Sequence, residues 1–359
     1  MRGIKVYVLS LLLSSCYFTE DPKPQDQQDW PYATPEEIGL NNDYLFNINN
    51  NLLDQYYQNV NSLVIIKEDQ LIFENYYLGQ SRDSINNLNT ATNILASIAI
   101  GMAIDDGYLI SIETPIFHFL PEYEAAFSTD SLKKTITVSQ LLSHRSGLSW
   151  NEVVSQLSDQ NDLIKMLKED DWTKYVLDKR LESIPDSRYN LNNGGAMIIS
   201  KIIQNITGEP FANYVNRRLF EPLDIKKWTW DSDLTGTTNA TTGLSLNQLD
   251  FTKIGYLFLK KGFWKGESVL SEDWIIESTA PKHQLSNLYD IGYLWYQFSN
   301  NANFIDPLNN QTYYVPGGTG YHLYVNPNKN AVVCIGADNY NFGIYSPSMI
   351  LYLNLVKSI

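Results

Sequence analysis

Strand-forming stretches lie near both ends of this chain with a long helical stretch between them, and that arrangement restricts the fold more than any other feature. Residues 62–67 and 71–78 are rich in β-branched and aromatic side chains, and Glu68-Asp69-Gln70 joins them as a hairpin. Similar runs return only at 291–298, 312–315, 320–325 and 331–337. Residues 113–245 read as helical segments broken at Pro115, Pro121, Gly147, Pro185, Gly208, Pro210, Pro222 and Gly236. Strands so distant can share one sheet only if the two ends of the chain come together, with the helical stretch as an insert. The expected class is α/β in composition (α+β): an antiparallel β-sheet flanked by helices, plus an all-helical subdomain. The sheet subdomain takes residues 34–112 and 246–357, and the helical one residues 113–245. A cleft is expected where the two meet.

The flanking helices show in the apolar spacing. Leu45, Phe46, Ile48, Leu52, Leu53 and Tyr56 predict a helix over 42–58. From Ile94 the apolar residues fall at 94, 95, 98, 99, 102 and 103, interleaved with Ala96, Ser97 and Gly101. Small residues let neighbours approach closely, so this is a central buried helix, ending at Asp105-Asp106-Gly107. Helices are also predicted over 246–261 and 345–356.

Composition excludes several functions. A net charge of −14 argues against nucleic-acid binding, which rests on clustered Lys and Arg. Two cysteines build neither a disulfide framework nor a cysteine zinc site. The four histidines show no metal-ligand spacing and no Gly-rich phosphate loop is present, so no metal or other cofactor is expected. Cys334 lies in an apolar run and reads as packing.

The start of the chain reads as an address. Arg2 and Lys5 precede an apolar run over 6–13 and then Ser14-Ser15-Cys16. That is the order of a secretory signal, too short to span a bilayer. Small residues before a cysteine resemble the lipobox of bacterial lipoproteins. The resemblance implies cleavage after residue 15, acylation of Cys16 and a lipid-anchored place in the bacterial cell envelope. The alternative is an ordinary signal peptide with an incidental cysteine. Residues 16–33, with Pro22, Pro24 and Pro31 among polar side chains, read as a flexible tether.

Within residues 34–357 several stretches occur in a telling order. They are Ile100-Gly-Met-Ala-Ile-Asp-Asp-Gly-Tyr108, Phe119-Leu-Pro-Glu-Tyr123, Ile136-Thr-Val-Ser-Gln-Leu-Leu-Ser-His-Arg-Ser-Gly-Leu148, Asn205-Ile-Thr-Gly208, Leu219-Phe-Glu-Pro-Leu223 and Gly266-Glu-Ser-Val-Leu-Ser-Glu-Asp-Trp274. Together they resemble the serine β-lactamase and penicillin-binding-protein-like superfamily, in its class C-like group of esterases and peptidases. The resemblance implies acyl-transfer chemistry. A serine opening a helix attacks a carbonyl, and a lysine one turn later assists its deprotonation. A tyrosine in a Tyr-x-Asn motif moves the proton, and a basic residue in a Lys-Thr-Gly-type triplet supplies charge. Two backbone N–H groups hold the oxyanion.

Carried over position by position, three of these motifs have changed. Thr90 stands at the nucleophile and Asn93 at the lysine. Leu191 stands at the tyrosine, with Asn193 retained. Gly318 stands at the basic residue, with Thr319 and Gly320 retained. Thr90 has a hydroxyl, but its methyl crowds the approach, and Asn93 cannot take a proton. The alternative for this stretch is that Asn89 or Thr90 simply caps the helix. Tyr189 is the backup proton carrier. The oxyanion-hole N–H groups are expected at Thr90 and Tyr321. His144 and His322 read as structural, and Ser131-Leu-Lys-Lys134 as a chance match to the serine–lysine spacing.

Three readings follow. The first is a catalytically degenerate member acting as an envelope binding or scaffold protein, its cleft taking a small carboxylate, a peptide or a peptidoglycan-like ligand. The second is a working esterase, amidase or peptidase with Thr90 as nucleophile. The third is a purely structural lipoprotein whose cleft is filled by side chains such as Leu191 and Tyr321.

Overall fold

A computed structural model describes residues 29–152, 158–299, 311–339 and 346–359. Among the described residues its main sheet has eight strands: β1 (Val60–Lys67), β2 (Gln70–Tyr76), β3 (His283–Gln284), β4 (Tyr289–Ile291), β5 (Tyr296–Phe298), β6 (Tyr313–Pro316), β7 (His322–Asn326) and β8 (Ala331–Ala337). Their order is β2-β1-β8-β7-β6-β5-β4-β3, antiparallel throughout. The two ends of the chain therefore meet at the β1–β8 pair, where Val64 faces Cys334 and Ile65 faces Val333. This is the mixed antiparallel-sheet fold that the separated strand signals require.

Alternation along these two strands divides the core. Val64, Ile66, Val332 and Cys334 point into the larger cluster, while Leu63, Ile65, Val333 and Ile335 point into the other. The second cluster is closed by α1 (Asn42–Leu53) and by the C-terminal helix, Pro347–Leu355. The first is closed by α2 (Ile94–Asp105), by α3 (Gly195–Thr207) and by α4 (Gln248–Leu259). Cys334 is fully buried, and burial pushes its thiol up to about 12.

Helix α2 is buried along Ile94–Ala103, and its small residues have a specific task. A Cβ on Gly101 would lie 2.1 Å from the Trp274 ring, whose Nε1 donates to the Ser97 carbonyl at 3.1 Å. The helix ends at Asp105, and Gly107 takes the left-handed turn beyond it (φ 77°).

Two expectations need correction. Residues 29–33 do not belong to a tether. Trp30 is buried and packs edge-on against Tyr256 and Trp264, and Ala33 donates to Leu71 at 3.2 Å. An indole supplies enough apolar surface to anchor a stretch whose composition is otherwise that of a linker. The run 291–298 is not one strand but the hairpin β4–β5. Gly292 bonds to Trp295 at 2.7 Å, and a Cβ on Gly292 would lie 2.3 Å from the Ser278 carbonyl, so the chain turns there.

Candidate active site

The connection between β6 and β7 closes tightly, with Gly317 N–H donating to Tyr321 O at 2.8 Å and Gly320 N–H to Gly317 O at 2.9 Å. Gly320 has φ 98°, and a Cβ there would lie 2.9 Å from that of Ala337. A Cβ on Gly317 would lie 3.2 Å from the Leu88 carbonyl. The turn thus rests on the segment that leads into α2.

That segment is a 3-10 turn, Asn89–Asn93, with Asn89 in the left-handed region (φ 49°). The Gly318 N–H donates to Thr90 Oγ1 at 2.7 Å, and Asn89 Nδ2 donates to Thr319 Oγ1 at 3.1 Å. Neither Asn89 nor Thr90 caps the helix. Their side chains are engaged with the strand turn instead, and neither the 3-10 turn nor α2 has a side-chain cap.

One turn on, Asn93 Nδ2 donates to Asn193 Oδ1 at 2.6 Å, across 100 positions of sequence. Asn193 Nδ2 in turn donates to Glu152 Oε1 at 2.6 Å, and its backbone N–H to Glu152 Oε2 at 3.3 Å. Trp150 Nε1 donates to the same Oε2 at 2.7 Å. Thr90, Asn93 and Asn193 are all buried, and Glu152 is half-buried. Burial pushes the Glu152 carboxyl above the usual range, and its hydrogen bonds to Asn193 and Trp150 partly oppose that.

The loop carrying Asn193 is held by His144, whose Nδ1 lies 3.1 Å from Asn192 O. His144 is fully buried with φ 56°, and burial lowers its imidazole to about 4, so it is a neutral strut at pH 7. His322 is likewise buried and lowered to about 4, with Nδ1 2.6 Å from Tyr324 Oη. Its ring bonds Tyr324 and the backbone of Gly317, next to the place of the basic residue, and makes no hydrogen bond to Thr90.

The structure therefore brings together Thr90, Asn93, Asn193, Gly318 and Thr319. Tyr189 is engaged elsewhere: its hydroxyl lies 3.5 Å from that of Tyr296, and its ring stacks on His283 and meets His144 edge-on. Leu191 is half-buried and Tyr321 buried; Tyr321 O closes the strand turn. Lys133 and Lys134 of the chance match turn away, Lys133 to the Leu177 carbonyl at 2.8 Å and Lys134 over the Phe117 ring. Among the described residues, no titratable side chain hydrogen-bonds the Thr90 hydroxyl, and no cluster of His, Cys, Asp and Glu could hold a metal.

Glu152 and Trp150 escaped the sequence reading. They belong to no spaced motif, and the signal available was position alone: Ser149-Trp-Asn-Glu152 directly follows the stretch that ends at Leu148.

Comparisons with known proteins bear on the family and the fold. The β-lactamase family model matches residues 53–256, more than half of the chain, and the chain belongs to that family. Protein flp of Staphylococcus aureus (strain MW2) is 23% identical over 139 residues, 39% of this chain. The match takes in only 26% of that relative's own length. Among solved structures, EstCE1, a hydrolase with promiscuous acyltransferase activity, superposes with a TM-score of 0.71 at 14% identity, covering 87% of this chain and 98% of that one. The D-alanine carboxypeptidase AmpC from Burkholderia cenocepacia gives 0.64 at 14% identity, covering 88% and 99%. At such identities the likeness is one of fold.

Proposed function

We propose that this protein is a β-lactamase-family binding protein whose cleft holds a ligand without turning it over, anchored in the bacterial cell envelope through Cys16. The observation that carries the reading is the Thr90 hydroxyl. Its oxygen takes a hydrogen bond from a backbone N–H, and no base among the described residues stands beside it. Attack on a carbonyl requires somewhere for the hydroxyl proton to go. Asn93, at the lysine position, spends its amide on Asn193. Leu191 and Gly318 carry no proton-handling group at all. Where catalytic groups act as a unit, losing one already removes most of the rate, so losses at three motifs leave little.

What remains suits binding. Family architecture persists around a polar, well-ordered set of amides and a carboxyl. Cys16 lies outside the described residues, and the anchor rests on the leader alone. A peptide or peptidoglycan-like partner in the envelope fits both parts of the proposal.

Two experiments test it. The purified protein and its Thr90→Ala variant are incubated with a chromogenic cephalosporin and a chromogenic ester. The expected result is the same background rate for both. Turnover that disappears in Thr90→Ala overturns the reading. For the anchor, Cys16→Ser is expected to move the expressed protein from the membrane to the soluble envelope fraction; unchanged membrane retention overturns that part.

A further inference from the structure

Asp29, the first residue described, is pinned against the most basic stretch that follows it. Its Oδ2 lies 2.9 Å from Lys253 Nζ, which is buried on α4 and lies 2.9 Å from Asp250 Oδ1 as well. Its Oδ1 lies 3.0 Å from Lys265 Nζ. Trp30 then packs against Trp264, so two successive residues tie the start of the fold to a small hairpin, Phe263–Trp264 paired with Glu267–Ser268. Lys265 and Gly266 form the tip, both in the left-handed region (φ 49° and 90°), as a tight two-residue hairpin turn requires. Alternation along the strand turns Trp264 inward and Phe263 outward, where it is 47% exposed.

The hairpin is an exception on a chain of net charge −14. Lys260, Lys261 and Lys265 fall within six residues with no acid among them, and no other six-residue stretch from residue 29 onward holds three lysines or arginines. Each has an acidic partner: Lys260 pairs with Asp69, Lys261 with Glu272 at 2.8 Å, and Lys265 with Asp29. Exposed pairs of this kind contribute little and exchange readily for another anion. Lys261 and Lys265 keep more than half of their side-chain surface in water. An exposed phenyl ring flanked by ammonium groups suits the interface of an anionic bilayer, with the ring at the acyl boundary and the ammonium groups at the phosphates. Twelve residues, 17–28, lie between Cys16 and Asp29, about 45 Å of chain at full extension. Acylation of Cys16 would tie the bilayer to the point where that chain ends, which is this hairpin.

We propose that the hairpin is the face on which the protein rests on its membrane: Phe263 enters the headgroup boundary of an anionic phospholipid bilayer, and Lys260, Lys261 and Lys265 meet the phosphates, while Lys253 keeps Asp29 in place. This deepens the envelope-anchored reading and rests on it. Its consequence is an orientation. Leu71, which bonds to Pro31 and Ala33, lies three strands across the sheet and three residues along the ladder from His322, at the start of β7, a separation of roughly 18 Å. The Gly317–Gly320 turn and Thr90 therefore stand at the far corner of the sheet from the docked segment, and the cleft stays clear of lipid.

The test reads lysine reactivity on the full-length protein, reconstituted from detergent into vesicles of phosphatidylethanolamine and phosphatidylglycerol. A water-soluble acetylating reagent is applied, and the acetylation of each lysine is followed by peptide mass spectrometry. Lys168 and Lys174 are the controls, since they are as exposed as Lys261 and Lys265 and likewise paired with acids, Asp159 and Asp178. On the vesicles, acetylation of Lys261 and Lys265 is expected to slow at least about threefold relative to detergent, and that of the controls to stay unchanged. Lys261→Glu combined with Phe263→Asp is expected to return Lys265 to its detergent rate with the protein still on the membrane. The proposal is overturned by unchanged rates at Lys261 and Lys265, by equal slowing at all four lysines, by equal slowing on phosphatidylcholine vesicles, or by slowing that survives the double variant. Slowing that rises with protein concentration in detergent alone would mean that a second copy covers the hairpin, and overturns it too. If the wild-type protein is recovered soluble, the anchor fails, and the same lysines read after vesicles are added decide the docking alone.

Discussion

Gly318 donates its backbone N–H to Thr90 Oγ1 at 2.7 Å, joining residues 228 positions apart. The resemblance puts a basic side chain at 318 and a nucleophile at 90. Here the contact is a neutral backbone donor on a threonine oxygen, which fixes the hydroxyl but cannot remove its proton.

Restoring one group should therefore achieve nothing. Thr90→Ser, Asn93→Lys, Leu191→Tyr and Gly318→Lys are each expected to leave chromogenic ester hydrolysis at background, because on the proposed non-catalytic reading the motif groups work only together. The fourfold variant is expected to gain measurable turnover on the retained frame. Activity from Thr90→Ser alone would mean that a base already stands in the cleft.

The amide chain makes a sharper stability prediction. Asn193→Ala orphans Asn93 and strips the side-chain donor from Glu152, leaving only the backbone N–H of that position, and costs about 1–3 kcal/mol for each buried group left unpaired. Asn193→Asp sets a second carboxylate where the first now accepts at 2.6 Å and should be the less stable of the two at pH 7. Urea denaturation compares them. Equal midpoints would show that Glu152 is protonated or far from the chain.

Trp30 tests where the folded body begins. Its burial between Tyr256 and Trp264 predicts that Trp30→Ala costs about 3–5 kcal/mol, the usual range for a buried aromatic. A loss below about 1 kcal/mol, within the range of surface substitutions, would return residues 29–33 to the tether.

Burial holds both His144 and His322 at about 4, against about 6.5 for the unfolded chain. Between those values the unfolded chain binds protons that the folded one refuses. Their contribution is therefore complete above pH 6.5 and is lost as pH falls towards 4. At about 1.4 kcal/mol per pH unit for each group over about 2.5 pH units, the two together cost on the order of 7 kcal/mol. Urea midpoints measured across this window are expected to fall, and His322→Gln to show the shallower slope. An unchanged slope in that variant would contradict the buried, neutral role.

Much of the fold was legible because its signals are local. The run 331–337 coincides with β8, and the apolar spacing from Ile94 to Asp105 with α2. The hairpin at 291–298 was hidden because its turn depends on Gly292 lying against Ser278, a tertiary contact. The site was half legible. Thr90, Asn93, Asn193 and Gly318 could be found by counting within motifs, and they do meet. Glu152 could not, since its place in the network comes from the side chains and backbone that donate to it. The capping alternative for Asn89 and Thr90 failed for a similar reason: donors and acceptors on the strand turn compete for those side chains, and a sequence does not display the competition.

The most direct test of an inert cleft is intact-protein mass spectrometry after incubation with a fluorophosphonate, which labels activated hydroxyl nucleophiles covalently. The account predicts an unmodified mass for the wild-type protein. A single adduct that maps to Thr90, and is absent from Thr90→Ala, would contradict it.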